Sequence, residues 1–296
     1  MPEVGNLMPW RLLFTSMRPR HFMKNILVFA PLVFAQRFTE FEPLYHSLLA
    51  FGIFCGLSGA GYLVNDVVDR EGDRLHKKKA LRPVAAGLLL TGTAVGAAAA
   101  LYAASLALAF MVGKGFGYVA LSYVIVSLAY SLILKNIVIV DLFAVAAGYV
   151  LRVVAGAVVI PVAASSWLLI CAMLLSLFIA LSKRTLEIRL LQGDAVGHRR
   201  TLAEYNPYLL GQMTAVITSA LLVAYTLYTR SPGTLEKFHT GDLVYSVPFV
   251  LYGIFRYLYL LHVKEGYHTL ERVLITDKPM LVNMMLYVLV VGYVLY

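Results

Sequence analysis

Between Tyr62 and Pro83 the chain reads YLVNDVVDREGDRLHKKKALRP: a phenol and an amide, carboxylates at 66, 69 and 73, and a basic run ending in Arg82. On a helix turning about 100° per residue, Asn65, Asp69, Tyr62, Asp73 and Asp66 fall within one arc of about 100°. Carboxylates at that spacing repel one another, so the arrangement is costly unless a cation sits among them. Their hard oxygen atoms suit Mg²⁺, which takes one or two carboxylates and completes its shell with water and substrate phosphates. On this reading Asp66, Asp69 and Asp73 carry the chemistry, and Asn65, Asp69 and Asp73 are the metal ligands. The same arc also reads as a solvated acidic helix end balanced by Lys77, Lys78 and Lys79. Lys77 and Lys78 serve equally as an inside-facing membrane anchor. Lys79 and Arg82 follow the arc closely enough to reach a phosphate held by its metal, and an arginine fork makes bidentate phosphate contacts.

Cations inside apolar sequence are a second chemical signal. Arg152 lies roughly 16 Å into an apolar run at 1.5 Å per residue, where ionisable side chains are costly and face a partner or a watery cavity. Its structural alternative is a pair with Asp141 or with a backbone carbonyl. Arg256 sits near the end of another run, where it can snorkel, as can Lys24 at the mouth of the first. Asn25, Tyr205 and Glu187 read as supporting groups. The His residues are scattered and both cysteines, Cys55 and Cys171, sit in apolar stretches, so neither a zinc site nor a disulfide framework is expected.

The elements that must position these groups are membrane helices. The chain has 296 residues, 60% of them hydrophobic and 14% charged, against roughly half and a quarter in an ordinary soluble domain. A spanning helix takes about 20 apolar residues, and such runs occur near 22–37, 44–65, 84–112, 117–134, 141–160, 166–183, 207–229, 243–263 and 279–296. The expected fold is therefore an all-α bundle of about nine transmembrane helices forming a single domain over residues 1–296. Residues 6–17, with Leu7, Trp10, Leu12, Leu13, Phe14 and Met17, are too short to span and read as an amphipathic helix in the interface. Residues 1–20 show no short apolar core with a small-residue cleavage site, so no removable signal peptide is expected.

Net charge is +9, from 25 Lys and Arg against 16 Asp and Glu. In a membrane protein such an excess belongs to cytoplasmic loops facing anionic lipid, and nucleic acid is not an expected partner. With the N-terminus inside, Arg37, Lys114, Arg230 and Lys237 fall outside, Arg152 and Arg256 fall within spans, and all the other basic residues fall on the cytoplasmic face. The polar loops near 66–83, 135–140, 184–206 and 264–278 are then all cytoplasmic, and the C-terminus is outside.

The run Asn65-Asp66-x-x-Asp69-x-x-x-Asp73 resembles the first aspartate-rich motif of the UbiA superfamily of intramembrane prenyltransferases. Arg18-Pro19-Arg20-His21-Phe22-Met23-Lys24-Asn25, Arg82-Pro83, Tyr130-Ser131-x-x-x-Lys135, Leu151-Arg152-x-x-Ala155-Gly156 and Lys183-Arg184-x-x-Glu187 together resemble its decaprenyl-phosphate phosphoribosyltransferase branch. The resemblance implies nine spans and a Mg²⁺-dependent transfer of 5-phosphoribose from phosphoribosyl diphosphate to a polyprenyl phosphate, for cell-envelope precursors. It further implies a plasma-membrane location with a cytoplasmic active site. Lys24, Tyr62, Lys79, Arg82, Lys135, Arg152, Lys183 and Arg184 would position the two phosphate-bearing substrates.

The superfamily's second aspartate-rich motif is missing: the 183–206 stretch has only Glu187, Asp194 and Glu204 as acids, against Lys183, Arg184, Arg189, His198, Arg199 and Arg200. A basic lobe suits a second phosphate group better than a second metal cluster. The rival enzyme reading is an aromatic prenyltransferase with a polyprenyl diphosphate donor, and the rival non-enzyme reading is a transporter of an anionic metabolite. Oligomeric state stays open, a homo-oligomer included.

Orientation is directly testable. A cysteine placed at Lys78 should be labelled by an impermeant maleimide only from the cytoplasmic side, and one at Lys237 only from outside; the opposite pattern would refute the charge-based topology.

Overall fold

The computed structural model of the chain describes residues 8–75, 79–190, 204–264 and 270–295. They form two compact units, one up to Ala164 and one from Ser165 onward, and no strand occurs among the described residues.

The first unit begins with α1 (Pro9–Ser16), inside the stretch expected to lie in the interface. Leu12 and Ser16 are buried while Trp10 and Phe14 are exposed, so the helix has one packed and one outward face. A 3-10 segment, Pro19–Phe29, runs into the short α2 (Ala30–Phe34). Then come α3 (Phe41–Val68), α4 (Arg70–Arg74), a 3-10 turn at Lys79–Leu81, α5 (Thr91–Val112), α6 (Lys114–Leu132), a 3-10 turn at Leu134–Asn136 and α7 (Val140–Val159). Phe54 of α3 is fully buried, with its ring 6.2 Å from that of Phe116 and 5.2 Å from that of Tyr123, both on α6. Nearer the end of α3, Ala60 and Leu63 pack with Ala94 and Ala98 of α5, whose small side chains bring the two helices together.

The second unit contains α8 (Ser166–Leu190), α9 (Pro207–Arg230), α10 (Pro232–Phe238), α11 (Val247–His262), α12 (Leu270–Thr276) and α13 (Lys278–Leu295). Leu174, Leu221, Ala224 and Ile254 form one part of its core, and Phe178, Tyr257, Leu260, Val273 and Met280 another. Among the described residues eight helices are long and apolar enough to cross a membrane: α3, α5, α6, α7, α8, α9, α13, and α11 with its preceding 3-10 turn. Val95, Leu108 and Met111 on α5 and Val282, Met285, Val288 and Leu289 on α13 are exposed. Apolar faces of that extent belong in lipid, since water would penalise them.

The first apolar run, 22–37, takes another form than a regular α-helix. Pro19 starts a 3-10 helix, and Pro31 is the second residue of the α-helical turn that follows. At about 2.0 Å per residue for the 3-10 part and 1.5 Å for the α part, residues 19–34 have a contour of about 30 Å, close to the hydrocarbon thickness.

This segment lies directly on α7, and Gly156 makes that possible. A Cβ built at Gly156 would stand 1.9 Å from the backbone carbonyl oxygen of Val28, and backbone has little room to yield. Four residues earlier, on the same face of α7, Arg152 meets Asn25 of the segment. Gly156→Ala should therefore destabilise the protein by about 1–3 kcal/mol, read as a lower unfolding temperature in a fixed detergent. Gly211→Ala, where a Cβ meets nothing within 4 Å, should leave stability unchanged or slightly raised.

Candidate functional site

The acidic motif sits where α3 gives way to α4. The helix breaks at Asp69, yet Asp69 N–H donates to the Asn65 carbonyl at 2.9 Å and Asp73 N–H to the Asp69 carbonyl at 2.8 Å. The i to i+4 register therefore carries through the break, and Asn65, Asp69 and Asp73 keep the shared face that their spacing predicts.

Each carboxylate has a basic partner from elsewhere in the first unit. Asp66, only 1% exposed, is bound by Arg18 and lies 3.3 Å from Nη1 of Arg82. The same Arg82 nitrogen donates to Asp73, so one guanidinium joins two buried carboxylates. Asp69 accepts from Nζ of Lys135, itself buried in the Leu134–Asn136 turn, and from Nδ2 of Asn65 at 2.9 Å. Arg18 has positive φ at 55°, which turns the chain from α1 into Pro19, and its guanidinium lies 5.0 Å from the ring centre of Tyr62. Tyr62 in turn meets the His21 ring at 5.6 Å. Burial pushes the Arg18 guanidinium below its ordinary range, and the Asp66 carboxylate opposes that shift. An arginine so placed remains a cation at neutral pH.

Asn65, Asp66, Asp69, Asp73, Tyr62 and Arg82 thus come together as their sequence positions predict, and Lys135, which only the resemblance named, joins them from 66 residues beyond Asp69. Arg18 is a further member that periodicity misses, because it lies 48 residues from its partner; the Arg18-Pro19 pair at the head of a basic motif is the signal that points to it. Lys24 is half-buried in the 3-10 segment, and Lys79 half-buried at the start of the turn before Arg82. His76, Lys77 and Lys78 lie outside the described residues.

Arg152 is buried in α7 among neutral groups. Its Nε donates to Asn25 Oδ1 at 2.7 Å, Nη1 to the Gly148 carbonyl at 2.7 Å and Nη2 to the Tyr123 hydroxyl at 2.8 Å. The carbonyl is the structural partner expected from sequence; Asn25 is an additional one.

In the second unit Lys183 is exposed on α8, and Arg184 is buried and paired with Glu187 at 2.6 Å. Arg189 is engaged too, donating to the carbonyls of Leu261 and His262 at the end of α11. Asp194, His198, Arg199 and Arg200 lie outside the described residues. Arg256, expected to snorkel, instead makes a two-pronged bond to Asp277 at 3.0 and 2.8 Å. That bond holds the Asp277 carboxyl below the usual carboxylate range, and the same side chain accepts from Met280 N–H in the first turn of α13.

No three His, Cys, Asp or Glu side chains among the described residues stand together as a metal-binding group. The donor chemistry nonetheless fits Mg²⁺, which needs few carboxylates: Asp69, Asp73 and the side-chain oxygen of Asn65 are hard ligands on one face of the motif. Binding there would require Lys135 and Arg82 to release the carboxylates.

Fold and site define an all-helical integral membrane protein with a carboxylate–cation cluster at a helix end. The chain belongs to the UbiA prenyltransferase family, whose sequence model matches residues 26–274. It is similar to the decaprenyl-phosphate phosphoribosyltransferase of Corynebacterium glutamicum, 35% identical over 217 residues, which are 72% of this chain and 65% of that protein. The enzyme of the same name from Mycolicibacterium smegmatis is 31% identical over 258 residues, 83% of this chain and 80% of that protein. In fold the chain resembles a UbiA homolog from Archaeoglobus fulgidus solved with GPP and Mg²⁺, with a TM-score of 0.74, 17% identity and coverage of 96% of this chain and 99% of that one.

Arg82→Ala would leave the Asp73 carboxylate, 4% exposed, without its cation. Stability should fall by about 2–4 kcal/mol, and adding Asp73→Asn should recover part of the loss. Thermal unfolding of the two single variants and the double variant measures this coupling, and strictly additive effects would refute the pairing.

Proposed function

We propose that this chain transfers 5-phosphoribose from phosphoribosyl diphosphate to a polyprenyl phosphate, releasing pyrophosphate, at the cytoplasmic face of the plasma membrane. The observation that carries the reading is the cluster at the end of α3: Asp66, Asp69 and Asp73 together with Arg18, Arg82 and Lys135. It offers metal-binding oxygens and phosphate-binding cations within one unit, in a chain whose relatives are named for this transfer.

In the proposed site Asn65, Asp69 and Asp73 hold Mg²⁺, which when bound neutralises charge on the diphosphate and favours its departure. Lys135 and Arg82 exchange their carboxylate partners for diphosphate oxygens as the donor enters, and Lys24, Tyr62, Lys79 and Arg152 orient the phosphate-bearing substrates. A lipid phosphate oxygen attacks the anomeric carbon as its bond to the diphosphate oxygen breaks. Charge builds on the leaving group, where fixed cations stabilise it most. Attack opposite the leaving group inverts the anomeric centre. A phosphate monoester with a second pKa of about 6 is largely dianionic at neutral pH, so no side chain need remove a proton. The cell-envelope role follows the same reading, as the use to which a lipid-linked phosphoribose would be put.

Three measurements test it. Purified protein with labelled phosphoribosyl diphosphate, polyprenyl phosphate and Mg²⁺ should give labelled lipid, and with prenyl diphosphate and 4-hydroxybenzoate no prenylated product; the reverse result would restore the prenyltransferase reading. Asp69→Ala should abolish turnover while the protein stays folded, and full activity of that variant, or of wild type in excess chelator, would eliminate the metal mechanism. Because the carboxylates and cations are paired to each other, Mg²⁺ and diphosphate should bind cooperatively, each raising affinity for the other by at least about fivefold. Independent binding in calorimetry would refute this exchange.

A further inference from the structure

Arg152 is a buried cation with no carboxylate partner among the described residues. It is 6% exposed, and its three hydrogen-bond acceptors are an amide, a backbone carbonyl and a phenol. The rings of Tyr123 and Tyr149 flank it at 4.7 and 5.6 Å, and it makes no ion pair with a carboxylate among the described residues. A guanidinium has five N–H groups, and three are used here. Two more, and the hydroxyl proton of Tyr123, meet no acceptor among the described residues.

Such a cation is costly at membrane depth, and a carboxylate would relieve the cost. At the position that could hold one, the chain has Asn25. Its side chain is fully buried and fixed from behind, Nδ2 donating to Ser58 Oγ at 3.2 Å and to Cys55 Sγ at 3.3 Å. Those bonds commit the amide nitrogen to α3 and leave Oδ1 for Arg152. Gly156 supplies the close approach that brings Asn25 there. Ser58 precedes Asp66 by eight residues, about 12 Å along α3, which separates this feature from the carboxylate cluster. The arrangement fixes the guanidinium, keeps its full positive charge and leaves donors unused.

We propose that Arg152 and the Tyr123 hydroxyl form an anion subsite for a phosphate group, and that Asn25 is a positioning residue which orients Arg152 without neutralising it. This inference rests on the proposed function for the identity of the anion: the phosphate of the polyprenyl substrate or a phosphate of the sugar donor.

The test separates charge from shape. Asn25→Asp preserves size and the acceptor facing Arg152 but supplies the missing counter-charge, and Tyr123→Phe removes one donor. Farnesyl phosphate, farnesol and Mg²⁺-phosphoribosyl diphosphate serve as separate ligands for protein in nanodiscs, with thermal unfolding measured alongside. Wild type should bind farnesyl phosphate more tightly than farnesol if the anion is the lipid's. Asn25→Asp should unfold at or above the wild-type temperature yet bind one phosphate ligand about ten- to a hundredfold more weakly, with farnesol unaffected. Tyr123→Phe should weaken the same ligand by about threefold or more. In turnover the loss should appear in KM for that substrate rather than in kcat. A loss confined to farnesyl phosphate assigns the anion to the lipid, and one confined to phosphoribosyl diphosphate assigns it to the donor. Unchanged affinity for both phosphates in folded Asn25→Asp, or an equal loss of farnesol binding, would overturn the proposal; should that variant not fold, unchanged affinities in Tyr123→Phe would do so. Wild type that transfers no phosphoribose would refute the proposed function alone, since comparing farnesyl phosphate with farnesol still tests the subsite.

Discussion

Three carboxylates crowded at one end of a helix cannot stay ionised together unless cations lie beside them, and the first unit is folded around that requirement. Arg18 comes from the turn after α1, Arg82 from the connection before α5 and Lys135 from the turn between α6 and α7. Each ion pair therefore fastens a different connection to the end of α3. Paired charges with little access to water are poor sources of net stability but costly to separate. They fix where the connections go more than how tightly the unit holds together. A ligand that took over the carboxylates and the cations at once could rearrange all three connections.

Apolar packing does the complementary work. Phe54, Phe116 and Tyr123 fill the middle of the unit, and small residues near the end of α3 let α5 approach. At Gly156 the absence of a side chain lets one backbone rest against another. Tyr123 belongs to both orders, packing its ring on Phe54 while its hydroxyl accepts from Arg152. Core and polar network are consequently not separable in this region.

Much of this was legible in the sequence. Apolar runs of the right length located the membrane helices, and helical spacing placed Asn65, Asp69 and Asp73 on one face despite the break at Asp69, because the hydrogen-bond register survives it. What periodicity cannot report is pairing between distant segments. Arg18 meets Asp66, Arg256 meets Asp277 and Arg152 meets Asn25 through approaches that exist only once helices pack. The run 22–37 is apolar in composition, but hydropathy is blind to whether a carbonyl bonds three or four residues ahead, and the first half of the run is a 3-10 segment rather than a regular α-helix. The basic stretch from 183 read as a loop, although α8 continues to Leu190, since its charges masked the helical continuation.

One dimension of α3 has its own consequence. Its 28 residues make a rod of about 42 Å, against a hydrocarbon slab of about 30 Å. Tilting alone would need about 45° to hide the surplus, more than transmembrane helices usually show. The excess of about 12 Å is roughly two turns, and the last two turns carry Tyr62, Asn65 and Asp66. A surplus of that size at the C-terminal end would act as a stilt, lifting the start of the acidic motif out of the hydrocarbon and into the headgroup layer. In the proposed function a water-borne phosphate and a lipid-borne one would meet at that height from opposite directions, and the number of residues in the helix would set it.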